Sequence, residues 1–335
     1  MNRLFLAASA LMLTFSSLLH AQVVKVDGSS TVYPVSEAVA QEFQKAGNAK
    51  VTVEVSGTSG GFRKFVRGET DIQNASRPIV TDEIAQARQH GVEFIELPIC
   101  FDALTIAVHP ENHWVTSIKV SELKKLWEPG AEGKITKWSQ IRAVWPDQEI
   151  KLFGAGEDSG TFDYFTEAIV GKAKSSRNDY TASEDDNVIV KGIEDNRSSL
   201  GYLPYAYYEP HAKRMKAVEI EWDIDSRNGK VLGNRPSAPS LSAVIAGNYN
   251  PLSRPLFIYV NKKAADSKPE VRAFVEFYLK NVARIVAEAK YLPLPAEAYE
   301  LSSKRFASRQ TGTCFRGESA IGLPVKAIME RTPVK

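Results

Sequence analysis

Asp27-Gly28-Ser29-Ser30-Thr31-Val32-Tyr33-Pro34 is the stretch on which the fold turns. A short apolar run, 23–27, precedes it and has the length of a strand. A run of small hydroxyl residues follows, and Pro34 stands where the first turn of a helix tolerates proline. Residues 34–46 then carry Val35, Ala38, Val39 and Phe43 at helical spacing, with Gly47 as the stop. The unit is strand, hydroxyl-rich turn, helix.

The same unit recurs twice. Ser56-Gly57-Thr58-Ser59-Gly60-Gly61-Phe62 lies between a strand at 51–56 and a short helix at 60–67. Gly154-Ala155-Gly156-Glu157-Asp158-Ser159-Gly160-Thr161-Phe162 lies between a strand at 150–153 and a helix at 160–170. Helix amino termini carry unpaired N–H groups and about half a positive charge. Glycine lets an anion approach the backbone, and Ser or Thr adds neutral donors, so such turns can bind an oxyanion with few full charges. Ordinary helix capping explains one such turn by itself; three of one composition at three strand-to-helix junctions point to a ligand. Arg77, in Asn74-Ala75-Ser76-Arg77-Pro78, adds a basic side chain at another strand end; its alternative is a surface salt bridge.

Further strands are expected at 71–75, 94–97, 104–108 and 256–260, and helices at 81–90 and 120–126. A last helix opens at Ser267, with Glu270 three residues on, and presents Val271, Phe274, Val275, Tyr278, Leu279, Val282, Ile285 and Val286 on one face. Alternation of strands and helices is the pattern of an α/β protein. At 335 residues the chain is long enough for two domains. There are 42 basic and 40 acidic residues, and the densest basic cluster is only Lys213, Arg214 and Lys216. That balance argues against nucleic acid as a partner.

Residues 1–21 read as a secretory signal peptide: Arg3 supplies the positive charge, an apolar run follows to Leu19, and Ala21 ends a small-residue cleavage site. About 16 apolar residues in a row are fewer than the ~20 a membrane span needs. Export bears on the two cysteines, Cys100 and Cys314. In an oxidising compartment they are expected to form a disulfide, with two buried free thiols as the alternative.

Six stretches, 28–34, 55–62, 71–79, 158–165, 183–187 and 251–260, run in order through the chain and together resemble the periplasmic phosphate-binding proteins of phosphate ABC transporters, the PstS type. The resemblance implies an α/β, two-lobed periplasmic-binding-protein fold, type II-like, with the ligand in a cleft between lobes. One lobe would comprise 22–105 plus 255–335, the other 106–254. It implies a monomer in the periplasm that binds inorganic phosphate and presents it to a membrane permease, with no catalysis, cofactor or metal. The family's phosphate loops fall on Ser29, Ser30, Thr31 and Val32, on Thr58 and Ser59, and on Ser159, Gly160 and Thr161. In the best-known branch an Asp accepts the phosphate proton where this chain has Ser76, and an Arg precedes the third loop where this chain has Ala155. Arg77 is therefore expected to supply the cation. The proton acceptor is sought in Glu184-Asp185-Asp186, with Asp186 first, or in Asp158.

Two other chemistries fit parts of the chain. Gly57-Thr58-Ser59-Gly60-Gly61 matches the G-x-S-x-G elbow of serine hydrolases, but no His stands in a stretch that suggests a triad. His109 and His113 have a zinc-like spacing, but Pro110 opposes a helix presenting both rings. Binding of another oxyanion, or an adhesion or signalling role on the same fold, remains open at this level.

Overall fold

The computed structural model describes residues 23–323, 327–328 and 331–333. The expected signal peptide, 1–21, lies outside the described residues. The chain opens with strands β1 (Val24–Gly28), β2 (Val51–Val53), β3 (Ile72–Ala75) and β4 (Phe94–Ala103). It crosses to a second sheet made of β5 (Thr105–Val108), β6 (Lys151–Ala155), β7 (Thr181–Ser183), β8 (Ser199–Leu203) and β9 (Lys216–Ala217). It returns to the first sheet as β10 (Ser253–Asn261) and β11 (Leu292–Pro293). The strand orders are β11-β4-β10-β3-β1-β2 and β9-β5-β8-β6-β7. Both sheets mix parallel and antiparallel pairs, for example β1 with β3 and β10 with β4. Each sheet with its helices forms one lobe of a two-lobed α/β fold.

The two crossings lie side by side. The Leu104 N–H donates to the Leu252 carbonyl at 2.9 Å. The strand expected at 94–97 runs on to Ala103 as β4, because all ten of its residues are buried and pair with β10 along nearly their whole length, and the strand expected at 104–108 is β5 of the second sheet.

Helices α1 (Tyr33–Lys45), α2 (Thr58–Phe65), α3 (Thr81–Gln89), α4 (Val120–Trp127) and α5 (Gly160–Ile169) follow strands or turns as the patterning predicts, and α6 (Asp186–Asp195) is a helix that the patterning did not mark. α7 spans Pro269–Glu288 and α8 spans Ala296–Ala307. The expected start of α7 at Ser267 is displaced. A short separate helix, Lys262–Ser267, ends there, and α7 begins with Pro269 and no side-chain cap. Its eight predicted apolar residues are all buried, and Phe274 meets Phe43 of α1 edge-on at 5.3 Å. Each such burial contributes roughly 1.5–3 kcal/mol relative to exposure.

The expected disulfide does not form: Cys100 and Cys314 are buried free thiols. A bridge needs Cα atoms within about 7 Å. Gly312 bonds to Phe94 at the start of β4, and the Cys314 N–H donates to the Glu96 carboxylate at 2.8 Å. Cys100 lies four residues further along that strand, ~13 Å away at the usual strand rise. The tail is held instead by Glu96, whose buried carboxylate also accepts from Thr313 Oγ1 at 2.6 Å and Tyr259 Oη at 2.9 Å. Burial raises the Glu96 carboxyl above its ordinary range despite these bonds.

Candidate functional site

The carboxyl ends of β1 and β3 and the start of α5 converge where the lobes meet. Pairing of β1 with β3 places Gly28 beside Asn74, so the turns after both strands open on one edge. Helix α1 follows Ser29-Ser30-Thr31-Val32 and opens without a side-chain cap; α2 starts at Thr58 after Gly57, also uncapped. From the other lobe, α5 starts at Gly160, with Ser159 capping it by accepting from the Thr161 N–H.

Three hydroxyls from the first lobe and one from the second are drawn together. Thr31 Oγ1 lies 3.1 Å from Thr161 Oγ1, and Thr58 Oγ1 lies 3.1 Å from Ser76 Oγ. Gly160 fits between the pairs: a Cβ there would stand 2.5 Å from Thr58 Oγ1 and 2.6 Å from Ser76 Oγ. A side chain at that position would collide with both hydroxyls, so either they or the lobes would have to shift. Tyr291 Oη donates to the Thr31 carbonyl at 2.6 Å and Tyr207 Oη to the Ser30 carbonyl at 3.2 Å, which pins the first turn from both lobes.

The cation at this cluster is Arg254 of β10, fully buried. Its guanidinium reaches Thr161 Oγ1 at 3.0 Å and Thr31 Oγ1 at 3.3 Å, and is paired with buried Asp102 through Nε at 3.0 Å and Nη2 at 2.9 Å. A hydroxyl that accepts from Arg254 still has its own proton to donate. Burial raises the Asp102 carboxyl, and Arg254 opposes that shift.

Arg77, expected to be the cation, is otherwise engaged. Its Nε donates to Asp163 at 2.7 Å, its two Nη atoms to both Glu83 oxygens at 2.9 and 2.8 Å, Nη1 to the Pro78 carbonyl at 3.1 Å and Nη2 to Ser59 Oγ at 2.9 Å. Those five bonds use the five N–H groups a guanidinium has. Ser59 in turn donates to Asp163 Oδ2 at 3.0 Å. Ser59 and Arg77 therefore form a second polar layer beside the hydroxyl cluster rather than part of it.

Of the acidic candidates, Asp186 is the buried one. It opens α6, and Asp185 caps that helix by accepting from the Asn187 N–H. Asp186 is 2% exposed, and its Oδ2 has no hydrogen-bond partner. Burial pushes its carboxyl up to about 7, against the pull of a Ser30 hydroxyl bond and the Arg254 charge. Asp158 is instead half-exposed and forked by Arg63 at 2.8 and 2.7 Å. Glu184 accepts from the Asp158 N–H at 3.0 Å and so serves the third turn.

Arg254 is the residue that sequence reasoning did not assign. It stood in view within 251–260, but an arginine inside an apolar strand carries no local sign of whether it points to solvent or to a cleft. No group of His, Cys, Asp and Glu able to hold a metal occurs among the described residues.

Residues 17–282 match the PBP superfamily domain. The chain is 46% identical over 313 residues to the protein SphX of Synechocystis sp., covering 92% of this chain and 90% of that one. It is 35% identical to the phosphate-binding protein PstS of Staphylococcus saprophyticus, over 82% of each chain. Among solved structures, a possible phosphate binding protein from Planctomyces limnophilus is 43% identical, with a TM-score of 0.63 over 86% of this chain and 99% of that one. A putative phosphate ABC transporter substrate-binding protein from Clostridium perfringens, solved with bound phosphate, shares the fold at 23% identity and a TM-score of 0.64, over 82% of this chain and 100% of that one. The hydroxyl cluster at the junction of two mixed sheets thus sits in a known architecture: the chain belongs to the PBP superfamily and, within it, to the family of SphX and the phosphate-binding protein PstS.

Proposed function

We propose that this protein binds inorganic phosphate in the cleft and presents it to the membrane permease of an ABC transporter. The observation that carries the reading is the pairing of opposites in one buried site: Arg254 beside Thr31 and Thr161, and Asp186 with a free carboxylate oxygen beside Ser30. An anion with no proton gains from the first and is repelled by the second. Hydrogen phosphate satisfies both, because its P–OH can donate to Asp186 while its other oxygens accept from Arg254, from the hydroxyls of Thr31, Thr58, Ser76 and Thr161, and from backbone N–H groups at the starts of α1, α2 and α5. Where the Asp186 carboxyl is ionised, sulfate has no proton to place against it, so it is disfavoured by like-charge contact.

In this reading the lobes, 22–105 plus 255–335 and 106–254, open about the paired crossings and close on the anion by hinge motion. The protein acts outside the cytoplasm as a monomer, after removal of residues 1–21. Among the described residues no helix is long and apolar enough to cross a membrane. The PstS relative named above, a phosphate-binding protein, supports the ligand. Calorimetry on phosphate-stripped protein tests the reading: one phosphate per chain and a rise in Tm with added phosphate are expected. The absence of both heat and a Tm shift at millimolar phosphate would overturn it, and equal affinity for sulfate would make the protein a general oxyanion binder.

A further inference from the structure

Each of three turns in the cleft contributes twice. Thr58, Ser76 and Thr161 place hydroxyls in the anion cluster; their near neighbours Ser59, Arg77 and Asp163 form a separate charged triad. Ser59 and Arg77 belong to the first lobe and Asp163 to the second. The triad is therefore a contact made between lobes. We propose that Arg77, Ser59 and Asp163 form the latch that holds the lobes closed, a second layer that sets how long the anion is retained without touching it. The proposal rests on the reading that an anion is bound between these lobes.

The partners of Arg77 divide in a way that suits a latch. Glu83, on its own lobe, forks the guanidinium through both carboxylate oxygens and also accepts from the Val80 N–H at 3.0 Å, at the start of α3. When the lobes part, Arg77 keeps Glu83 and the Pro78 carbonyl, so it stays aimed at the cleft and is never left without a counter-charge. Only the bonds to Asp163 are broken. Asp163, in the first turn of α5, then leaves a buried position for water. Its Oδ1 has no hydrogen-bond partner when closed, with Lys174 Nζ 3.9 Å away. The structure thus leaves Arg77 as its main compensation.

A second ion pair also spans the lobes, Arg63 with Asp158 at 2.7 Å. Its side chains are 53% and 41% exposed, against 8% and 4% for Arg77 and Asp163. Exposed pairs contribute little because water and salt screen them, whereas loss of one partner from a desolvated pair acts strongly on dissociation. The buried pair is therefore the one expected to govern release.

The test combines stopped-flow phosphate release with the distance between fluorophores placed on exposed Glu54 and Lys172, one on each lobe, as Glu54→Cys and Lys172→Cys. Asp163→Asn is expected to raise the release rate about 10-fold or more while changing association by less than about 3-fold. In ligand-free protein it is expected to shift the label distance toward the open form. Asp163→Glu, which restores the charge, is expected to recover slow release. A purely structural role would lower Tm without changing the ratio of release to association. Wild-type release from a folded Asp163→Asn variant would overturn the latch. Should Asp163→Asn fail to fold, Ser59→Ala is read the same way, with faster release expected and unchanged release overturning the proposal. Should the wild type bind no phosphate at all, the phosphate reading fails, and the ligand-free label distance alone decides the latch: a distance identical in wild type and variant overturns it.

Discussion

Arg254 and Asp102 stand opposite each other in register across β10 and β4, 2.9 Å apart and both buried, where the chain passes between lobes. The pair places one positive charge at the hydroxyl cluster and neutralises it when no anion is present. Removing one member of such a pair leaves a buried charge uncompensated, at a cost of about 3–5 kcal/mol. Arg254→Met is expected to lower Tm and to weaken phosphate binding by about 2–4 kcal/mol. Adding Asp102→Asn, which still accepts from the Tyr205 N–H, is expected to restore much of the Tm but not the binding. Thermal melts and calorimetry on both variants check this; recovery of binding in the double variant would remove Arg254 from the site.

Asp186 predicts a pH dependence with a definite sign. An ordinary Asp ionises near 3.9, and burial holds this one at about 7. Its folded value is raised, so the folded state of the ligand-free protein is favoured where the carboxyl is protonated. That contribution is fully present below about pH 4, is lost as pH rises from there to about 7, and is flat above. Asp186→Asn removes the term, so the Tm of wild type relative to the variant should fall across that window. In sulfate competition above about pH 7, where the carboxyl is ionised, the variant should also show a narrower preference for phosphate, because an amide N–H can face an unprotonated oxygen.

Gly160→Ala tests the close approach of the lobes. The added methyl would stand 2.5 Å from Thr58 Oγ1 and 2.6 Å from Ser76 Oγ. Overpacking of this kind costs about 1–3 kcal/mol, and here it acts on the closed form. Phosphate affinity should fall by about 10-fold or more while the Tm of ligand-free protein changes little. Equal affinity in variant and wild type would mean that the lobes close around phosphate with a wider gap.

The two thiols predict a chemical result. Burial pushes Cys314 up to about 12 and raises Cys100 well above its ordinary value. Neither is a thiolate near neutral pH, so both should resist alkylation in folded protein. Unfolding without reductant should release two reactive thiols per chain, and reductant should leave the Tm unchanged. A titration that finds none would restore the disulfide.

The sequence carried the site's neutral parts clearly and its charges poorly. Hydroxyl turns at Ser29–Val32, Thr58–Ser59 and Ser159–Thr161 are local features, written where a strand stops and a helix starts, so they survive reading without a fold. The apolar face of α7 is legible for the same reason. Charge assignment is not local. Arg77 sits at a strand end beside Ser76 and looks available, yet Glu83, six residues on, and Asp163, on the other lobe, consume its donors. Arg254 looks like an interruption in an apolar run, and only the register of β10 against β4 reveals Asp102 opposite. The cysteines failed on distance: composition and compartment favour a bridge, but only the path of β4 shows how far apart the two lie. Asp186 is one of three acidic neighbours that look alike in the sequence; burial is what separates it from Asp185.

The hydrogen bond between Leu104 and Leu252 has a mechanical consequence. It ties the two crossings into one axle, and Asp102 and Arg254 stand two residues from it on either strand. In the proposed hinge motion, points close to that axle sweep short arcs, while the jaw tips, where Gly57 meets the Asp158 backbone, take the full stroke. The counter-charge is therefore fixed at the fulcrum and hardly travels. In the proposed binding cycle an arriving anion would find its cation already in place, and the work of the swinging lobe would be confined to adding neutral donors and shutting out water.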